Sequence, residues 1–304
     1  MIGSVWRWRF PVDPQQPEPV VLQVSGPVSV QAHPEAEVVV KAVGRGQRTG
    51  RTVQVQGPVK VMAPPYAVLH LVDSSGPFKV EGLTQGGVRL TRVSGPVRVH
   101  RVAWLEGAGV RGPIRATEVS ERLRIESSTG PLKVVGLPRR LQAQIEGLVQ
   151  MEAATLNGQQ VQVRASRAVL VQVPASTAVQ GRVEAPEVWV DLTGQARRGA
   201  GAFDLQAPNP DLRITAVSDV AVYLGPEPPA TWKTAGDAHG WSGLWRWLTR
   251  GWRQPRVWTR ASAAAAAEED LSAARRRVLD MLAAGKLSAE EAAELLEALE
   301  EAGE

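Results

Sequence analysis

Apolar and polar residues alternate with period two through most of the first 225 positions. Short examples are Val59/Val61, Phe78/Val80, Val97/Val99 and Leu132/Val134, with a second set at Val88/Leu90, Leu123/Ile125, Leu141/Ala143/Ile145, Val161/Val163 and Val169/Val171/Val173. Such alternation puts one row of side chains on a dry face and the other on a wet one, the mark of a half-buried strand. The first set follows a recurring phrase: Ser25-Gly-Pro, Gln56-Gly-Pro, Ser75-Gly-Pro, Ser94-Gly-Pro, Arg111-Gly-Pro and Thr129-Gly-Pro. The prolines stand at 27, 58, 77, 96, 113 and 131, in steps of 31, 19, 19, 17 and 18 residues. Self-similarity at a near-fixed period is the signature of a repeat architecture. Gly supplies a position free to take positive φ, and Pro presets φ without an N–H, so each phrase predicts a corner followed by a strand. A unit of ~18 residues with two short strands cannot close a core alone and must stack on its neighbours, with rungs ~4.8 Å apart. The expected fold is mainly β, a single-chain β-solenoid resembling a parallel β-helix; an antiparallel sandwich is the competing architecture.

Further elements flank this pattern. Trp6, Trp8 and Phe10 alternate with Val5, Arg7 and Arg9 and predict an N-terminal strand that caps the first rung. Val38–Val40 reads as a return strand, and Gly44–Arg51, with three glycines and three arginines, as a solvated loop. After Gly147 the Gly-Pro corner is lost but alternation persists to Val220–Leu224, and the prolines of Gly225–Pro229 mark a boundary. The chain divides into a repeat body (1–225), a Pro/Trp/Arg-rich linker (226–267) and a helical hairpin (268–304). Within the linker, Trp241, Leu244, Trp245, Leu248 and Trp252 share one face of a helix, with Arg246, Arg250 and Arg253 off it. Such a helix suits the headgroup boundary of an anionic membrane, or docks as a cap on the body.

In the last segment Leu271, Val278 and Leu282 form one apolar stripe, Gly285 stops the helix, Ser288 opens a second with Glu291 three residues on, and Leu295 and Leu299 continue the second stripe. So short a hairpin must pack on a partner or self-associate. The run Met281-Leu-Ala-Ala-Gly-Lys-Leu-Ser-Ala-Glu-Glu-Ala292 resembles the two-helix module of the SHOCT-like and YvlB/LiaX-like families. There that module accompanies a β-strand-repeat domain of candidate adhesins, which the repeats from Val20 to Leu224 resemble in style. Here the hairpin is C-terminal rather than N-terminal, and the Gly-Pro corners are unusual. The resemblance implies a role in cell-envelope stress or at a membrane, without catalysis.

Charge adds a partner class. Residues 268–304 carry 11 acidic and four basic side chains, net −7, which leaves 31 basic against 20 acidic in residues 1–267, net +11. A basic body invites a polyanion. Between the two inward residues of five corner phrases the outward residue is Lys60, Lys79, Arg98, Arg115 or Lys133, so stacking would make a basic ladder for lipid headgroups, an anionic polymer or a nucleic-acid backbone. Cysteine is absent, and His33, His70, His100 and His239 lack metal-ligand spacing. Asp73, Glu81, Glu106, Glu118, Glu126 and Glu146 share no offset in the repeat. We therefore expect no enzyme, no cofactor, no metal and no small-molecule substrate. With no secretory h-region and no apolar run of ~18 residues, the expected location is cytoplasmic, peripheral on the inner membrane face. The leading expectation is an envelope-associated scaffold or stress sensor; a nucleic-acid-binding regulator and a bactofilin-like self-assembling scaffold stand as alternatives.

Overall fold

Every Gly-Pro corner does open a strand. The computed structural model describes residues 4–192 and 196–226, and all regular structure among them is β. In chain order the strands are β1 (Ser4–Pro11), β2 (Val20–Ser25), β3 (Val28–Ala32), β4 (Glu37–Thr49), β5 (Thr52–Gln56), β6 (Val59–Ala63), β7 (Val68–Val72), β8 (Phe78–Glu81), β9 (Gly87–Thr91) and β10 (Val97–Ala108). They continue as β11 (Ile114–Ser128), β12 (Leu132–Val135), β13 (Arg140–Ile145), β14 (Val149–Glu152), β15 (Gln159–Ala165), β16 (Ala168–Gln172), β17 (Val179–Val190), β18 (Arg197–Leu205), β19 (Leu212–Ser218) and β20 (Ala221–Gly225).

Two ladders of parallel strands face one another. The first runs β5, β2, β7, β9, the second halves of β10 and β11, then β13, β15, β19 and β17. The second runs β6, β3, β8, the first halves of β10 and β11, then β12, β14, β16, β20 and the end of β17. Inward residues of both ladders, such as Val97, Ile114 and Leu132 on one and Leu105, Leu123 and Leu141 on the other, fill a single apolar core. Because β4, β10, β11 and β17 engage both ladders, the hydrogen bonding closes on itself. Strands β2 to β10 form one circuit of nine, and β11 to β17 with β19 and β20 form a second of the same kind. Strands β1 and β18 lie outside, antiparallel on β4 and β17. The chain is thus mainly β, with closed circuits and outer strands.

The corner phrase has a steric reason. A Cβ on Gly95 would lie 2.4 Å from the Gly76 carbonyl oxygen, and one on Gly112 would lie 2.4 Å from that of Gly95. Each proline carbonyl then accepts from the strand of the adjacent rung, as Phe78 N to Pro96 O at 2.9 Å and Val97 N to Pro113 O at 2.8 Å. The return corner uses left-handed residues instead, Gly82, Arg101, Glu118 and Gly136, again one per rung.

Three sequence expectations are corrected. Gly44–Arg51 is not a loop: β4 runs to Thr49 and turns at Gly50 into β5. Gly46 is there because the rings of Trp6 and Trp8 lie on it, a Cβ falling 2.7 Å from the Trp8 ring, while the Arg48 guanidinium stacks on Phe10 at 4.4 Å. The rungs also depart from chain order. The rung 52–63 lies outside the rung 20–32, which pairs with 68–81, and the last rung, 212–225, lies between 159–172 and β17. The N-terminal strand does cap that end, its Trp6 and Trp8 rings stacked 5.7 Å apart, although it covers β4 rather than the first rung. The Trp241–Trp252 helix and the hairpin carrying Leu271 to Leu299 lie outside the described residues.

Candidate polyanion-binding face

The outward side chains of the second ladder hold the predicted cations in register. Lys79 pairs with Arg98, Arg98 with Arg115, and Arg115 with Lys133 on neighbouring parallel strands. Lys60 belongs to the same line but is not next to Lys79, because the displaced rung 20–32 puts Ser29 between them. The line extends in the other direction through Lys41 on β4 to Arg7 on β1. Sequence reasoning missed these two because they reach the line through antiparallel pairing, outside the repeat phrase.

The charge of this line is uneven. Lys133 is only 13% exposed and is paired with Glu152 at 2.8 Å, so that end is neutralised. Beyond it the same register carries Gln150, Leu170 and Tyr223, all buried. Lys41, Lys60, Lys79, Arg98 and Arg115 are half-buried, while Arg7 is exposed. Of the nearby carboxylates, Glu81 holds Arg101 at 2.9 Å and Glu126 holds Arg124 at 3.0 Å on the opposite ladder. The face is a graded strip, cationic from Arg7 to Arg115 and apolar beyond Gln150.

The remaining titratable groups form local pairs. Glu106 bridges Arg89 at 2.9 Å and Arg122 at 2.7 Å. His70 contacts the Thr91 hydroxyl at 2.9 Å, and burial, aided by the Arg89 charge, lowers its pKa from the ordinary imidazole value. Among the described residues no three His, Asp or Glu side chains converge to hold a metal ion.

Comparison with known proteins bears mainly on the C-terminus. A search of curated proteins finds no match. Among solved structures, a candidate cell adhesion protein from Clostridium sporogenes aligns over 73% of this chain and 99% of its own, at 9% identity and a TM-score of 0.25. Residues 275–304 match the model of the SHOCT-like domain of the DUF2089 C-terminal type, so the chain carries a SHOCT-like domain at its C-terminal end.

Proposed function

We propose that this chain is a non-enzymatic scaffold that lies against an anionic surface through the outward face of its second ladder. The observation that carries the reading is the register line Arg7, Lys41, Lys60, Lys79, Arg98 and Arg115, interrupted only by Ser29. Rung-on-rung parallel register supports reading the body as a repeat solenoid with covered ends, which gives the strip a rigid, evenly spaced support. Rigidity suits a flat anionic target, since little side-chain and no backbone ordering is then required on contact. The surface we assign is the anionic inner face of a bacterial membrane, with the SHOCT-like domain engaging a protein partner or a second copy in envelope-stress sensing.

The test is co-sedimentation of the full chain with neutral and anionic phospholipid vesicles, beside a mobility-shift assay with duplex DNA. Wild-type protein should bind only anionic vesicles, and Lys79→Gln/Arg98→Gln/Arg115→Gln should lose at least about tenfold in affinity. The salt dependence of log K should flatten in the variant by roughly two to three units of slope, for three lost phosphate contacts. Tight DNA binding without vesicle binding, or an unchanged variant, would sink the membrane reading.

A further inference from the structure

The opposite wet face carries a second, differently built site. Five adjacent strands of the first ladder, β11, β13, β15, β19 and β17, line a groove of about 810 Å³. Its cations are Arg122, Arg140 and Arg213, each exposed on a separate strand of one register line with Gln160 between the last two, and Arg124, two residues further along β11. Two residues along, the parallel line carries Gln142 and Gln162. None of the residues lining the groove is Asp or Glu. Arg122 is held by Glu106 and Arg124 by Glu126, whereas Arg140 and Arg213 make no ion pair among the described residues. A smaller hollow of about 330 Å³ shares Arg122 and Arg140 with the groove and is lined besides by Trp104, Arg139 and one carboxylate, Glu121. The Trp104 indole is fixed over Gly87, where a Cβ would fall 2.3 Å from the ring.

Each component selects a ligand feature. A guanidinium fork recognises a carboxylate or phosphate in two-point geometry. A glutamine amide both donates and accepts, so a row of amides suits a row of hydroxyls. A held indole with an apolar body offers a stacking platform. The rungs repeat at ~4.8 Å, close to the advance of one sugar in an extended polysaccharide, and Arg140 and Arg213 are two rungs, about 10 Å, apart. Sequence-tolerant binding of single-stranded nucleic acid relies on aromatic side chains that stack successive bases. No aromatic lines this groove, and the adjoining hollow offers one, Trp104.

We infer that the groove binds one strand of an acidic polysaccharide, its carboxylates on Arg140 and Arg213, its hydroxyls on the glutamines between them, and a terminal sugar against Trp104. A carboxylate on every second sugar matches the two-rung spacing. The site is independent of the basic line proposed above, which belongs to the other ladder.

The experiment is calorimetric or interferometric titration of the full chain with hyaluronate oligosaccharides, which carry one acid per two sugars, and in parallel with dextran and oligothymidylate. The expected result is hyaluronate binding, no dextran binding, and at least a tenfold loss in Arg140→Gln/Arg213→Gln with unchanged melting. The other-face variant Lys79→Gln/Arg98→Gln/Arg115→Gln should bind hyaluronate as wild type does. Should the arginine variant fail to fold, Gln160→Ala/Gln162→Ala provides the second reading, with an expected loss of about three- to tenfold. The inference is overturned by absence of hyaluronate binding, by equal loss in the two faces' variants, by unchanged affinity in the groove variants, or by tighter binding of oligothymidylate.

Discussion

Asp73 and Arg92 occupy the same corner on successive rungs, both in left-handed backbone at φ 48° and 52°, and are joined by two parallel hydrogen bonds of 2.5 and 2.8 Å. The next rung places Gly109, at φ 66°, in the equivalent corner. The backbone there demands positive φ, and the fork helps hold two side chains that would otherwise resist it.

This makes position 73 a place where backbone and side-chain effects separate. Asp73→Ala should lower the melting temperature more than Asp73→Gly, because Gly accepts the corner and Ala does not. At the return corner Glu118, φ 55°, has no such partner among the described residues, and Glu118→Gly should raise stability by about 0.5 to 1 kcal/mol. The Arg92 hydrogen bond lowers the Asp73 pKa. The pair's contribution is therefore complete above the ordinary Asp value and is lost as pH falls through the lowered one. Melting curves of wild type and Asp73→Asn should converge at the acid end; curves that stay parallel would show that the pair contributes nothing.

The corner glycines make a sharper prediction. Gly112→Ala must push its Cβ into the Gly95 carbonyl at φ 140°, and should cost about 2 to 3 kcal/mol. Gly158→Ala, also at positive φ but with nothing within 4 Å, should cost about 1 kcal/mol. Chemical denaturation measures both, and equal costs would mean that close approach is not what selects glycine in the repeat phrase.

Among the described residues strand β1 pairs only with β4, along its length from Ser4↔Gly44 to Pro11↔Glu37. Removing residues 1–12 should expose the β4 edge, bare Phe10's contacts and drive concentration-dependent association. Sedimentation velocity checks this, and a truncated protein that stays monomeric would show that β1 does not guard the edge.

How far the sequence reveals these features depends on how locally each is caused. The Gly-Pro corners and the line from Lys79 to Lys133 are legible because one short phrase both turns the chain and sets the inward–outward phase. The glycines of Gly44–Arg51 misled because their cause is remote: Gly46 lies beneath Trp6 and Trp8, nearly forty residues away in the chain. Ser29 between Lys60 and Lys79 was equally hidden, since a step of 31 residues reveals an insertion but not on which side of the first rung the next one lands. In the groove Arg122 and Arg140 stand one repeat step of 18 residues apart, but Arg213 has no visible spacing to them, because β19 arrives at its place out of order.

That late arrival constrains how the chain can be made. As it emerges from the N-terminal end, β15 and β16 can pair with β13 and β14, but their other neighbours, β19 and β20, are made much later, and β17, although next in line, has only β18 to pair with until residues 212–225 follow. The growing chain must leave a vacancy one rung wide and fill it last. Synthesis and closure are thereby coupled: a chain that has passed β18 but not reached Gly225 holds a stack with the edges of β15 and β16 open, and the arrival of β19 and β20 covers them.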